Sequence, residues 1–225
     1  MTRALTSTVF ALVWLVGVIL GFRWYVLPAL CAIVAMIGIH EFIRLTKDRL
    51  PSWLSILLGF LYLTIPLACF LLLRIWGLLF ALSLLFSVWG ADTAAYIFGS
   101  LFGRHKLAPK LSPKKSWEGF IASVFFSVLV WMIMPLIVNA IDKNAANGIV
   151  SFGGYGVILG LIAAVVGLGG DLFESWLKRR AGVKDAGTIL PGHGGILDRF
   201  DSLLAAAPVI MIAVFVLSMG FWTGH

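Results

Sequence analysis

Long runs of apolar residues, separated by short polar segments, fill most of this chain. Each run approaches the roughly 20 residues that a helix needs to cross the hydrocarbon core of a bilayer. The runs occupy residues 5–22, 24–43, 54–73, 75–91, 119–138, 154–174 and 203–222. The pattern predicts an all-α, polytopic integral membrane bundle of about seven transmembrane helices, within a range of six to eight. The fourth helix is predicted to be short.

Composition agrees with a membrane protein. Of the 225 residues, 61% are hydrophobic and 12% are charged, whereas soluble domains carry about a quarter charged residues. We interpret the chain as a single transmembrane domain over residues 1–225, with its chemistry concentrated in residues 85–205. Cys31 and Cys69 each lie inside an apolar run without pairing or metal-binding spacing, so both are interpreted as core residues.

The formal net charge of +7 could indicate nucleic-acid binding, but the basic residues fall in short connections between apolar runs. With the N-terminus inside, the inner connections receive most of the 17 Lys and Arg, and only Arg23, Arg74 and Lys143 fall outside. This asymmetry follows the positive-inside rule. It predicts a multi-pass protein of the cell inner (plasma) membrane, with its polar loops in the cytoplasm and no nucleic-acid partner. His40 and Glu41, at an inner helix end, are interpreted as interfacial polar residues, with a role in the site as the alternative.

The first polar inner loop begins at Asp92, directly after the fourth apolar run, and continues through Ser112 to Lys114 and Lys115. Asp92 is placed at the inner interface, where it can join other carboxylates. Lys114 and Lys115 form either a clamp for phosphate or ordinary inner-face charge. The residues alone leave both interpretations open.

Carboxylates accumulate around the second inner loop. Asp171 follows the apolar part of the sixth run, and a charged residue costs roughly 2.5–3.5 kcal/mol at the bilayer centre, so we treat it as a functional candidate. At helical spacing Asp171, Glu174, Ser175 and Lys178 share one face. The structural alternative is a helix-end ion pair of Asp171 or Glu174 with Lys178.

Asp198, Asp201 and Ser202 also follow helical spacing, just before the last apolar run. Taken alone, the two aspartates would be typical caps of a helix N-terminus. Together with Asp171 they predict a site for a hard cation such as Mg²⁺, which takes oxygen ligands and keeps waters for phosphate. Further candidate ligands are Asp92, Glu174 and Asp201.

Residues 191–195 form a glycine-rich turn that leads into this last helix. Glycine lets backbone N–H groups approach an anion, and the helix N-terminus adds positive dipole, while His193 can donate to a phosphate. A flexible linker would have a similar sequence, but the neighbouring basic residues favour a phosphate loop. Asp185, next to Lys184, is either a partner in a loop salt bridge or a site residue. The basic residues around the turn are Lys178, Arg179, Arg180, Lys184 and Arg199.

The second loop resembles the signature of the CDP-diacylglycerol synthases (phosphatidate cytidylyltransferases). The similarity is carried by the Ser, Lys and Arg of residues 175–179, by Lys184-Asp185, and by residues 190–201. The first loop is similar to the family at residues 92–96, 102–104 and 111–119. The resemblance covers residues 85–205, and the N-terminal helices only by hydropathy.

This resemblance implies a homodimeric, all-helical membrane enzyme that converts CTP and phosphatidic acid into CDP-diacylglycerol and pyrophosphate. It implies that Asp171 and Asp198 hold a divalent metal, Mg²⁺. It also implies a second cation nearby, which is monovalent, such as K⁺. The implied catalytic residues are Asp171, Asp198, Lys178 and Arg199. The implied substrate-binding residues are Ser112, Lys114, Lys115, Ser175, Arg179, Lys184, Asp185, His193, Gly194 and Gly195. The alternative is a related CTP-dependent kinase or cytidylyltransferase that uses a polyprenol or another lipid acceptor.

Overall fold

The computed structural model describes residues 2–21, 25–141, 154–187, 189 and 194–222. Within this part of the chain, seven α-helices and one two-stranded hairpin follow one another. The helices are α1 (Thr2–Leu20), α2 (Val26–Thr46), α3 (Ser52–Trp76), α4 (Leu78–Phe102), α5 (Trp117–Ile141), α6 (Gly156–Arg180) and α7 (Leu197–Trp222), and the strands are β1 (Lys106–Ala108) and β2 (Ser112–Ser116). Helices α2 to α7 are long and apolar enough to cross a membrane. The prediction of an all-α polytopic bundle is confirmed.

The ends of α4 and α6 differ from the predicted ones. Helix α4 has 25 residues, so the prediction of a short fourth helix is wrong, and Asp92 lies inside the helix and not in a loop after it. Hydropathy falls at Asp92, but the alanines around it favour continued helix. Helix α6 likewise continues to Arg180, which places Lys178 and Arg179 in its last turn, where cations are favoured by the helix dipole.

The hairpin replaces part of the first predicted inner loop. Strands β1 and β2 pair antiparallel, with Lys106 opposite Ser116. His105 fastens the base of the hairpin, because its Nδ1 lies 2.7 Å from Glu118 Oε1 and its backbone N–H donates to the same carboxylate. Glu118 stands in the first turn of α5. The hairpin that carries Lys115 is therefore attached directly to the bundle.

Small residues allow α5, α6 and α7 to approach one another closely. A side chain at Gly160 would overlap the backbone of Val128, and one at Gly170 would overlap the carbonyl of Asp201. Ser127 Oγ also donates to the Gly160 carbonyl oxygen over 2.8 Å. Close backbone contact of this kind stabilises helix pairs inside membranes. Helix α6 is thereby held between α5 and α7.

An aromatic cluster anchors the beginning of α7 in the core. The ring centroids of Trp14 and Phe200 lie 4.8 Å apart, and those of Trp14 and Phe70 lie 6.3 Å apart, both in edge-on arrangements. All three side chains are at most 2% exposed. Such pairs add to the stabilisation from burial itself. The beginning of α7, with Asp198 in its first turn and Asp201 directly after that turn, is therefore fixed against α1 and α3.

The polar connections of the described chain meet on one side of the bundle. Arg49, after α2, donates through Nη2 to the carbonyl of Arg180 at the end of α6, over 3.4 Å. Arg179 Nε donates to the carbonyl of Leu111, in the hairpin, over 3.4 Å. The ends of α2 and α6 and the hairpin after α4 are thus neighbours, as the alternation of helices requires.

Candidate functional site

A cavity of about 220 Å³ opens between α4, α5, α6 and the hairpin. Part of its lining is apolar and comes from turns of α4 and α6 that precede their first carboxylates, and from the beginning of α5. The other part carries charge from the helices and the hairpin. The apolar residues include Val88, Phe120, Ala163, Ala164 and Leu168, and the polar residues include Asp92, Lys114, Lys115, Ser116 and Asp171. The cavity can therefore accept a molecule with one apolar and one anionic part.

Lys115 and Asp171 form an ion pair across the cavity. Both side chains are about a quarter exposed, at 21% and 27%. Ser175, one turn further along α6, donates through Oγ to Asp171 Oδ1 over 3.4 Å. The structure thus brings together three residues that the sequence placed in two separate loops, and it pairs Asp171 with Lys115 instead of Lys178.

Three carboxylates meet where α6 and α7 are closest. Asp171, Glu174 and Asp201 each offer one oxygen, and these oxygens all lie within 4.8 Å of one another. Asp171 and Glu174 share a face of α6 by their spacing, and the contact at Gly170 brings Asp201 beside them. We call these three residues the acidic cluster.

The acidic cluster fits a hard cation. Glu174 is 1% exposed and Asp201 is 8% exposed, and like charges at that depth are unfavourable without a counter-charge. Glu174 Oε1 is buried and has no hydrogen-bond partner among the described residues. Mg²⁺ and Ca²⁺ take oxygen ligands, and the buried Glu174 Oε1 is an acceptor oxygen that such an ion can use.

Lys178 supplies a cation on the other side of Glu174. Its Nζ lies 2.9 Å from Glu174 Oε2 and 2.6 Å from Asp198 Oδ1. Asp198 Oδ2 accepts from the backbone N–H groups of Ala186 and Gly195, over 2.9 and 2.8 Å. Both oxygens of Asp198 thus bind protein donors, and Asp198 is not a member of the acidic cluster. Its role as a metal ligand stays a prediction.

Glu41 also belongs to the surroundings of this network. Its side chain is 2% exposed, so the interpretation as an interfacial residue is wrong, whereas His40 is exposed. Glu41 Oε1 and Oε2 accept from the backbone N–H groups of Ile196 and Leu197. A carboxylate inside the apolar run of α2 is the signal that could have identified it.

The remaining predicted residues surround the network at the surface. Exposed side chains are Lys114, Arg179, Lys184, Asp185 and Arg199, and Ser112 is half-buried. Gly194 has a φ of 83°, which favours glycine, and Gly195 contributes its N–H to Asp198. His193 and residues 190–192 lie outside the described residues. The predicted glycine-rich phosphate loop is thus described only at Gly194 and Gly195.

The fold and the site define a class: a polytopic helical membrane protein with carboxylates and lysines gathered at a half-apolar cavity. Residues 48–217 match the model of the Cytidylyltransferase family. This match covers most of the chain, and the chain belongs to that family. The resemblance found in the two polar loops is confirmed at this level.

Several curated relatives share much of the sequence, each named phosphatidate cytidylyltransferase. The protein from Staphylococcus saprophyticus is 46% identical over 136 residues, which cover 60% of this chain and 49% of that relative. The protein from Staphylococcus haemolyticus is 42% identical over 156 residues, covering 69% and 56%. The protein from Staphylococcus aureus is 45% identical over 138 residues, covering 60% and 49%. This chain spans about half the length of these relatives.

Proposed function

We propose that this chain is a phosphatidate cytidylyltransferase, which transfers CMP from CTP to phosphatidic acid and forms CDP-diacylglycerol and pyrophosphate. The observation that supports it best is the cavity, with an apolar wall for a lipid and a charged wall next to the acidic cluster. Membership of the Cytidylyltransferase family and the names of the relatives support the same reaction.

In the proposed reaction an oxygen of the phosphatidate phosphate attacks the α-phosphorus of CTP. The bond from that phosphorus to the oxygen that bridges the β-phosphate breaks, and pyrophosphate leaves with the electron pair. No protein atom becomes bonded to the substrate. The tasks of the protein are to orient two anions and to offset their charge.

A divalent cation, Mg²⁺, is part of the proposal. Asp171, Glu174 and Asp201 would hold it, with Asp92 and Asp198 as further predicted ligands. The oxygen donors and the unpartnered Glu174 Oε1 support this assignment. When bound, such an ion neutralises and polarises phosphate oxygens. A second cation, a monovalent one such as K⁺, stays a prediction.

The lysines near the carboxylates divide into two roles in this proposal. Lys114 and Lys115 line the cavity and would bind phosphate oxygens there. Lys178 is held between Glu174 and Asp198, so we assign it to fixing these two carboxylates and not to binding phosphate. Arg179, Lys184 and Arg199 form positive surface charge that attracts an anionic nucleotide.

The proposal places this polar side in the cytoplasm and the helices in the plasma membrane. The distribution of Lys and Arg along the sequence supports that orientation. CTP would arrive from the cytoplasm, whereas phosphatidate would arrive within the bilayer. A homodimer, as the resemblance implies, completes the proposal.

The test is a transfer assay with the purified chain in lipid nanodiscs that contain phosphatidate. CTP labelled at its α-phosphate is expected to label the lipid in a reaction that requires Mg²⁺, whereas CTP labelled at its γ-phosphate is expected to label only pyrophosphate. Lipid labelled from the γ-phosphate would instead identify a CTP-dependent lipid kinase. Label on a polyprenyl phosphate but not on phosphatidate would contradict the proposed acceptor.

A further inference from the structure

A carboxylate from α2 holds the beginning of α7. Glu41 is 2% exposed, and a buried charge is unfavourable unless it is hydrogen-bonded. Its Oε1 accepts from the N–H of Ile196 over 3.1 Å, and its Oε2 accepts from the N–H of Leu197 over 2.9 Å. The first N–H groups of a helix have no partner within the helix and lie at the positive end of its dipole. Glu41 therefore caps α7 from a distant helix.

Two glycines make room for the Glu41 carboxylate. A Cβ atom at Gly195 would overlap both of its oxygens, and a Cβ atom at Gly187 would overlap Oε1. Neither glycine has a positive φ, so space is the reason for glycine here. The carboxylate is enclosed by the segment that follows α6 and by the segment that leads into α7.

Asp198 binds the same two segments. Its Oδ2 accepts from the N–H groups of Ala186 and Gly195, directly beside the contacts of Glu41. The backbone N–H groups at residues 195–197 are thus divided between two carboxylates. Displacement of Glu41 would move the first turn of α7, and with it Asp198 and Asp201.

We propose that Glu41 is a positioning residue, which holds Asp198 and Asp201 against α6 through the first turn of α7. The inference rests on the proposed function, because its consequences are measured in Mg²⁺ dependence and CMP transfer. Glu41 lies outside residues 48–217, which match the family model, and it does not line the cavity. With this role, Glu41 adds a residue of α2 to those on which the site depends.

The test compares the wild-type chain with Glu41→Gln and Asp48→Asn. Glutamine keeps the size of Glu41 but has one acceptor oxygen, and its amide group would face a backbone N–H. Asp48 is exposed, so Asp48→Asn makes the same chemical change away from the contact. Hydrogen exchange of a peptide spanning residues 194–204 reports the cap independently of activity, and initial rates at varied Mg²⁺ report the site.

Glu41→Gln is expected to speed amide exchange at residues 196 and 197, to raise the half-saturating Mg²⁺ concentration, and to lower kcat by about tenfold or more. Asp48→Asn should do none of these. Unchanged exchange would overturn the cap. Faster exchange with an unchanged Mg²⁺ half-saturation would also overturn the proposal, because a loss of folded molecules lowers the rate without changing the affinity for the cation.

Two further measurements keep the test decisive. If Glu41→Gln does not fold, Gly187→Ala takes its place, because it displaces the carboxylate without removing its charge. This variant should also speed amide exchange and raise the half-saturating Mg²⁺ concentration, and wild-type behaviour would overturn the proposal.

If the wild-type chain transfers no CMP, the proposed function fails. Mn²⁺ binding by electron paramagnetic resonance then compares wild type and Glu41→Gln, and equal affinities would overturn the inference.

Discussion

Lys178 of α6 donates to Asp198 of α7 over 2.6 Å, and the same Nζ lies 2.9 Å from Glu174. One ammonium group therefore joins the two helices and separates two carboxylates that would otherwise repel each other. Its side chain is only 13% exposed, so water screens the interaction weakly. The contact offsets the charge of Glu174 and Asp198 at this helix crossing.

Replacement of Lys178 by methionine should destabilise the protein strongly. Methionine fills a similar volume but leaves Glu174 and Asp198 buried without their cation, and removing one partner of a buried pair costs about 3–5 kcal/mol. Thermal unfolding in detergent should show a clear fall in Tm. Lys110→Met, at an exposed position, is the matched control and should leave Tm unchanged. Equal Tm values for both variants would show that the Lys178 contacts do not stabilise the fold.

Replacement of Asp171 by asparagine should weaken cation binding. Asparagine keeps the shape of the side chain but removes its charge from the acidic cluster and from the ion pair with Lys115. We expect Mn²⁺ affinity, measured by electron paramagnetic resonance, to fall about tenfold or more. The exposed Asp48→Asn variant controls for the loss of one carboxylate. Wild-type affinity in Asp171→Asn would contradict the assignment of the metal to this cluster.

Replacement of Asp198 by asparagine should remove most CMP transfer. The change deprives Lys178 of a charged partner and leaves one acceptor oxygen for the contacts that Asp198 now makes with Ala186 and Gly195. The transfer assay with α-labelled CTP measures the effect. The circular dichroism spectrum and the Tm of the variant must stay near those of the wild type, so that the loss is not caused by unfolding. A folded Asp198→Asn protein with full activity would refute any role of Asp198 in the site.

Gly170 and Gly169 offer a paired test of the helix crossing. A Cβ atom at Gly170 would overlap the Asp201 carbonyl, whereas one at Gly169 would meet nothing within 4 Å. Overpacking typically costs about 1–3 kcal/mol, so Gly170→Ala should lower both Tm and CMP transfer. Gly169→Ala should be neutral or slightly stabilising, because alanine favours helix by about 1 kcal/mol. Identical behaviour of the two variants would contradict the close approach of α6 and α7.

Local spacing in the sequence was enough to predict much of this architecture. Each apolar run corresponds to one helix, since a bilayer enforces long helical segments. The shared face of Asp171, Glu174, Ser175 and Lys178 also followed from residues three and four apart. These relations lie within single helices, where geometry depends on sequence separation alone.

Contacts between residues of different helices could not be predicted from local spacing. Hydropathy reports where a chain meets lipid, and it fell at Asp92 although the helix continues. The pairing of Lys115 with Asp171 and the contact of Glu41 with Leu197 depend on how helices are arranged. The sequence contained the charges, but their partners depend on close approaches between separate segments, such as those at Gly170, Gly187 and Gly195.

The contact of Glu41 with Ile196 joins positions 155 residues apart, and this separation has a consequence for biogenesis. At the usual pace of translation, the beginning of α7 emerges roughly 8–30 s after α2. During that interval α2 must enter the bilayer with a carboxylate that has no helix start to bind. The working geometry is therefore completed only when α7 inserts, and a nascent chain arrested before that helix would be membrane-bound but inert.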